Sequence, residues 1–222
     1  MTLPARASRH LLGALACALV AATSAGPVVF GPVPAAAQAR RDAAAEQFIQ
    51  TNATRVLAVL NDRSMPMAQK RRTFETLVDQ VTDVPRITDF VLGKYNRTIT
   101  PAQKREFAVL FRDFANNVYE SRLGEYGGER LVVTGSTIRA PGDVVVASRV
   151  QGGKLQRPNV VNWRVIKGAD GRWRAVDVQV QGVWLAITQQ QDFVSTIDNA
   201  GGNIDVLINQ LRGQVAQQRR PG

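Results

Sequence analysis

Few side chains in this sequence are suited to catalysis or metal binding. His10 and Cys17 are its single histidine and its single cysteine. Ser136, Ser148 and Ser195 are potential nucleophiles, but none lies in a nucleophile elbow or a Ser-x-x-Lys pattern that would supply a base. We therefore predict that these serines are solvated or cap secondary structure. We expect no cofactor and no metal site.

Two pairs of carboxylates have a spacing that could serve glycoside hydrolysis. The pairs are Asp79 with Asp83 and Glu125 with Glu129. Both fall at predicted helix ends or in turns, where acidic side chains are commonly solvated, and no polar cluster surrounds them. Asp177 lies within a predicted strand, where a hydrogen bond or salt bridge is the usual role of an acid. These residues favour a protein that is not an enzyme.

Basic residues outnumber acidic ones by 28 to 18, which gives a formal net charge of +10. Such a charge favours anionic partners: nucleic acids, membrane surfaces or acidic ligands. No aromatic platform or recognition motif accompanies the basic clusters, so we predict solvated faces and no binding of nucleic acid. Some of these residues remain candidates for contacts with lipid headgroups or an acidic docking partner. The clusters are Lys70-Arg71-Arg72, Lys104-Arg105, Arg172 with Arg174, and Arg219-Arg220.

The first 39 residues have the three parts of a secretory signal peptide. Arg6 and Arg9 supply positive charge, and Leu11 to Ala22 is an apolar run too short to span a bilayer. The small-x-small sequence Ala37-Gln38-Ala39 then predicts cleavage after residue 39, with Ala25 as the less favoured site. Cleavage would remove the only imidazole and the only thiol, so the mature protein would contain no disulfide.

Apolar residues recur at helical spacing through the first half of the remaining chain. Helices are predicted over 41–61, from Pro66 to about residue 81 with Ser64 as its cap, and over 85–92. The strongest pattern begins with Thr100 as cap and Pro101 in the first turn, and it ends at Gly124. Its apolar face consists of Phe107, Leu110, Phe111, Phe114 and Val118.

Four β-rich runs follow, at 130–140, 144–151, 158–167 and 172–181, with turn-forming residues between them. Helices are predicted again over about 188–199 and 203–217, the second capped by Asn203. This order predicts an α+β fold in one domain over 40–217: N-terminal helices over about 41–124, a curved antiparallel four-stranded meander within 129–182, and C-terminal helices. We expect residues 218–222 to be a disordered tail.

The last predicted strand carries an apolar wall. In regular alternation Val176, Val178 and Val180 share a face with Arg174, while Asp177 and its alternate neighbours occupy the other. Such a wall either packs against helices as ordinary core or lines a space for an apolar ligand. Periodicity does not separate these two interpretations.

Several motifs resemble the MlaC family of periplasmic phospholipid-binding carriers, which serve an ABC lipid transport system. They are Trp163-Arg164-Val165, GRWRAVDV at 171–178, VQGV at 180–183 and GGNIDVLI at 201–208. The chain departs from the family at Gln181, where an acid is usual, and at Trp184, where a serine is usual. The resemblance implies a periplasmic carrier with a lipid cavity between sheet and helices. Its partners would be a phospholipid, an inner-membrane ABC transporter complex with its lipid-binding subunit, and an outer-membrane lipid donor or acceptor.

Burying a lipid with about thirty methylenes is worth on the order of 24 kcal/mol and needs a cavity of about 1,000 Å³. The predicted lining of this cavity consists of Val146, Trp163, Val165, Val176, Val178, Val180, Trp184, Phe90, Phe107, Leu110, Phe111, Phe114 and Tyr119. Which face of the upstream strands points inward stays open, because Val144, Val145 and Val146 are all apolar. The alternatives are a carrier of hopanoids or other lipids, an enzyme for a small hydrophobic substrate, and a non-catalytic interaction protein with a solid core.

Overall fold

Among the residues that the structure describes, four α-helices precede the sheet and two follow it. The structure is a computed structural model that describes residues 41–120 and 127–218, except for the side chains of 118–120 and 218. The first helices are α1 (Ala43–Asn61), α2 (Met67–Val81), α3 (Val84–Val91) and α4 (Pro101–Glu120), with a 3-10 helix over Gly93–Arg97. The strands are β1 (Glu129–Ala140), β2 (Asp143–Gly152), β3 (Asn159–Lys167), β4 (Trp173–Val180) and β5 (Val183–Trp184). The final helices are α5 (Leu185–Asn199) and α6 (Ile204–Gln218).

Helix starts follow the capping residues of the sequence in most cases. Thr100 Oγ1 accepts the N–H of Gln103 at 3.2 Å, which confirms the predicted cap of α4. Asn203 accepts the N–H of Asp205 at 3.0 Å and likewise caps α6. The prediction that Ser64 caps α2 is wrong: this helix has no side-chain cap, and the Ser64 hydroxyl instead donates to Asp62 within the preceding turn.

The sheet is an antiparallel meander in the order β1-β2-β3-β4-β5. The expectation of four strands is wrong by one, since β5 pairs with β4 through Val180 with Val183. Between them Gln181 and Gly182 both adopt positive φ, 51° and 85°, as a tight two-residue hairpin requires. The short β5 runs directly into α5, which therefore begins three residues before the predicted start near residue 188.

A β-bulge interrupts β4. Arg164 on β3 pairs with Asp177, but the next residue, Val165, pairs with Ala175, so Val176 is an extra residue in the strand. Side-chain alternation therefore breaks at this residue, and the continuous valine wall predicted from the sequence is wrong.

The bulge distributes the three valines over two faces. Val178 pairs with Trp163, whose ring packs in the core beneath α1, and Val180 continues on that face. Val176 and Asp177 instead border a pocket on the opposite face.

Two large cores, besides a smaller cluster around Leu60 and Phe74, stabilise the described residues. The first lies between α1 and one face of the sheet, where Ala45, Val144, Val146 and Val165 have no exposed surface. The second consists of helices alone, with α3, α4, α5 and α6 contributing Phe107, Phe193, Ile197, Leu207 and Leu211 among others. No helix in residues 41–120 or 127–218 is both long and apolar enough to cross a membrane.

Candidate functional site

The two faces of the sheet differ in how completely they are covered. Val144 and Val146, under α1, are fully buried. Their neighbours Val145 and Ala147 point the other way and are only half-buried, although β2 is a central strand. We call this less covered side the second face. Its members on β2, β3 and β4 are Val145, Ala147, Asn162, Arg164, Ile166, Val176 and Asp177.

A pocket of about 200 Å³ lies between α3 and the second face. Ile166 and Val176 from the sheet and Ile87 and Phe90 from α3 give it apolar walls. Arg86, Arg164 and Asp177 complete the lining. Its volume is below the ~300–1,000 Å³ of pockets that enclose a whole small-molecule ligand, so this pocket holds at most part of a lipid.

Charged groups surround one end of this pocket. Arg164 donates to both carboxylate oxygens of Asp143, from Nε at 3.1 Å and from Nη2 at 2.8 Å. Arg139 Nη1 lies 3.8 Å from the same carboxylate. These guanidinium groups, Arg164 first, hold the pKa of Asp143 below its usual range, and Arg86 adds to the effect.

The pKa of Asp177 is shifted in the opposite direction to that of Asp143. Burial raises the pKa of its carboxyl, although backbone N–H groups of Ala186, Val178 and Ile187 act to lower it. The bond from Ala186 is 2.8 Å long and lies at the first turn of α5. The prediction of a hydrogen-bonding role for this acid is confirmed.

Three of the predicted lining residues lie in the core beneath α1. Val146 and Val165 have no exposed surface, so in this conformation they border no space that even a water molecule could enter. Trp163 is half-buried at the edge of the same core, and its indole N–H donates to Ser148 Oγ at 2.9 Å. The structure thus places these residues on the face opposite the pocket.

The predicted aromatic lining from α4 lies in the helical core. Phe107, which is fully buried, stacks on Phe111 with ring centroids 5.7 Å apart, and Phe193 of α5 meets both edge-on. Leu110 and Phe114 pack at the edge of the same cluster. The α4 residues therefore contact α5 and α6 rather than the valines of the sheet.

The remaining predicted residues are dispersed. Phe90 and Val176 meet at the pocket described above. Val178 and Val180 are half-buried, and Trp184 precedes the first turn of α5. The side chain of Tyr119 lies outside the described part of the chain. That any of these residues contacts a lipid stays a prediction.

The predicted lining omitted Ala147, Ile166, Arg86 and Arg164 and left Val145 open, although all five lie on or against the second face. The parity of β2 cannot be read from three consecutive valines. Arg164 did carry a signal, because this charged residue lies between Trp163 and Val165 in the middle of a strand.

The acidic residues considered for catalysis have structural partners. Asp79 forms an ion pair with Arg112, and Asp83 caps α3 by accepting the N–H of Arg86. Glu129 accepts the N–H of Gly127, while Glu125 lies outside the described residues. Over 41–120 and 127–218, no group of three or more acidic, histidine or cysteine residues could hold a metal ion.

Comparisons with known proteins agree with the fold. The family model described as MlaC protein matches residues 50–213, from within α1 to within α6. A phospholipid-binding protein from Ralstonia solanacearum, solved in complex with a phospholipid, is similar in structure, with a TM-score of 0.69 and 25% sequence identity. That similarity covers 79% of this chain and 99% of the other.

Proposed function

Because this chain belongs to the MlaC family, we propose that it is a periplasmic carrier that binds a phospholipid and moves it between the outer and inner membranes. The observation that carries the proposal is the likeness over 79% of the chain to a protein that binds a phospholipid. Family and relative both favour a binding or transport protein over an enzyme.

The second face supplies an apolar surface on which acyl chains can bind. Val145, Ala147 and Ile166 lie on central strands yet keep part of their surface accessible. Each methylene that leaves water for such a surface gains about 0.8 kcal/mol. This gain suits a ligand whose tails bind without specific polar partners, and it agrees with the scarcity of catalytic residues.

Mass spectrometry of lipid extracted from the purified protein tests the proposed ligand. We expect a phospholipid in near-stoichiometric amount. If the extracted lipid were a hopanoid, the proposed ligand would be wrong, but the protein would still be a lipid carrier. Protein that carries no lipid, and binds none after delipidation and incubation with phospholipid, would contradict the proposal.

A pair of matched variants tests where the acyl chains bind. Val145→Phe adds volume on the second face and is expected to lower the co-purifying lipid several-fold while the circular dichroism spectrum stays unchanged. Val109→Phe makes the same change on α4, where the side chain is 62% exposed, and is expected to keep wild-type lipid content. Equal lipid content in both variants would contradict binding on the second face.

Carriage through the periplasm requires export of the protein and release of its lipid. We propose that export depends on the signal peptide at residues 1–39 and that release depends on membrane partners. The partners are an inner-membrane ABC transporter complex with its lipid-binding subunit and an outer-membrane lipid complex. Cell fractionation with N-terminal sequencing is expected to find mature protein that begins at Arg40. Loaded protein is expected to pass a fluorescent phospholipid to vesicles that contain the transporter complex and not to empty vesicles. Equal transfer to both kinds of vesicle would contradict the proposal that the transporter complex is a partner.

A further inference from the structure

Positive charge is in excess at the Asp143 end of the pocket. The guanidinium groups of Arg86, Arg139 and Arg164 all act on this one carboxylate. With the carboxylate of Asp177, which also lines the pocket, three positive charges meet two negative charges, an excess of one that a bound anion would offset.

Hydrogen-bond donors are also in excess there. A guanidinium group has five N–H donors. Arg164 directs Nε and Nη2 to Asp143, which leaves Nη1 without an acceptor among the described residues. The side chain of Arg86 has no hydrogen bond or ion pair with any described residue. Both side chains line the pocket, so unused donors border the same small space.

The remaining walls restrict the kind of anion that fits. Ile87, Phe90, Ile166 and Val176 are apolar, so a small hydrated ion would lose water contacts without compensation along most of the surface. The carboxylate of Asp177 already accepts N–H groups of the backbone and repels an anion from its own side. A ligand with one anionic group joined to an apolar body satisfies both parts of the pocket.

We propose that Arg86 and Arg164 form a subsite for the phosphate group of the bound lipid, with the acyl chains continuing along the second face past Val145 and Ala147. The inference rests on the proposed lipid-binding function and adds the position and chemistry of the headgroup. Guanidinium groups suit this task because their planar N–H pairs match phosphate oxygens. Arg139 is not among the residues that line the pocket, so it contributes charge rather than contact.

Arg86→Gln is the most direct test, because the side chain is exposed and forms no hydrogen bond or ion pair with a described residue. Delipidated protein is titrated by calorimetry with a short-chain phosphatidylglycerol and with the diacylglycerol of the same chains, which lacks the phosphate. We expect the variant to bind the phosphatidylglycerol at least about tenfold more weakly, as loss of a charge-assisted hydrogen bond implies. Its affinity for the diacylglycerol is expected to stay within about twofold of wild type.

Two further variants separate the subsite from a general effect of charge. Arg72→Gln removes an exposed arginine of α2 and is expected to leave both affinities unchanged. Arg86→Lys keeps the charge and is expected to recover part of the lost affinity. Equal loss in Arg72→Gln and Arg86→Gln would overturn the subsite in favour of long-range attraction.

The outcomes distinguish the subsite from the proposed function. If wild type binds phospholipid and Arg86→Gln binds it equally well, the phosphate subsite is overturned and lipid binding stands. If wild type binds neither lipid, the proposed function itself fails. Inorganic phosphate is expected to compete only weakly, since it lacks acyl chains; binding as tight as that of the phospholipid would overturn the assignment to a lipid headgroup.

Discussion

The carboxylate of Asp177 in β4 accepts a hydrogen bond from the backbone N–H of Ala186 in α5, at 2.8 Å. Trp184, the residue before this helix, offers no side-chain cap. An acid from the neighbouring strand therefore takes the place of an N-cap and interacts favourably with the positive end of the helix. The hairpin at Gln181 and Gly182 makes this possible because it returns the chain to β4 within two residues.

Replacing Asp177 should destabilise the fold. Asp177→Ala leaves the buried N–H of Ala186 without an acceptor, and we expect the free energy of unfolding to fall by about 2–3 kcal/mol. Asp177→Asn keeps an oxygen acceptor and is expected to lose less than half as much. Urea denaturation at neutral pH measures both. Equal losses would show that the acceptor oxygen is not what matters.

The ion pair of Asp143 and Arg164 predicts a contribution to stability that depends on pH. Because Arg164 lowers the pKa of Asp143, the folded protein binds fewer protons at this site than the unfolded chain. The contribution is therefore present above the ordinary carboxyl pKa of about 4 and is lost as the pH falls through the lowered value. We expect Asp143→Asn to cost about 1 kcal/mol at neutral pH and almost nothing in strong acid. Urea midpoints over this pH range measure the difference, and a constant difference would contradict the prediction.

Ser148 joins two strands through a buried hydroxyl. It accepts the indole N–H of Trp163 at 2.9 Å and donates to the carbonyl of Val161 at 2.8 Å. Ser148→Ala removes the hydrogen-bond partner of the Trp163 indole N–H and of the Val161 carbonyl. We expect the free energy of unfolding to fall by about 2–3 kcal/mol. Ser195→Ala, at an exposed position of α5, is the matched control and should change stability by less than about 0.5 kcal/mol. A loss in the control as large as at Ser148 would refute this account.

A substitution at Phe107 tests whether this residue belongs to the helical core or lines a lipid cavity. Its ring is fully buried between Phe111 and Phe193. We expect Phe107→Ala to reduce the unfolding free energy by about 3–5 kcal/mol while the lipid bound per folded molecule stays unchanged. Urea denaturation and lipid extraction from the same preparation measure both quantities. Lost lipid with retained stability would restore the original prediction that this residue lines the cavity.

Gly93 lies at a position that other residues cannot adopt without strain. Its φ is +54°, and an added Cβ would be 2.7 Å from Val194 Cγ2. We expect Gly93→Ala to cost about 2 kcal/mol, from backbone strain and the clash together. Gly213→Ala, in α6 with no atom near the added methyl, is expected to stabilise by up to about 1 kcal/mol. Thermal unfolding of the two variants should move in opposite directions; a shift in the same direction would argue against the strain.

Local signals in the sequence were enough to predict most elements. Thr100 and Pro101 mark the start of α4 because capping is decided by neighbouring residues. Each end of the first four strands lies within one residue of the predicted run, since alternation and turn residues act over short distances. The family resemblance, drawn from a few motifs, is confirmed by the match over 50–213.

The site was harder to predict because it depends on pairing between strands. The bulge at Val176 is visible only in the register of β4 against β3, and it changes the face of every residue beyond it. Whether Val145 or Val146 is the buried residue depends on which face of the sheet α1 covers, and that is decided by tertiary contacts. Neither feature leaves a periodic trace in the sequence.

Helix α1 buries the middle of one side of the sheet and leaves the other side less covered. Adjacent residues of the same strand, such as Val145 and Val146, consequently differ in how large a change of side-chain volume they can accommodate. A larger side chain at Val145 has room to extend outward, whereas one at Val146 would have to displace the closely packed atoms beneath α1.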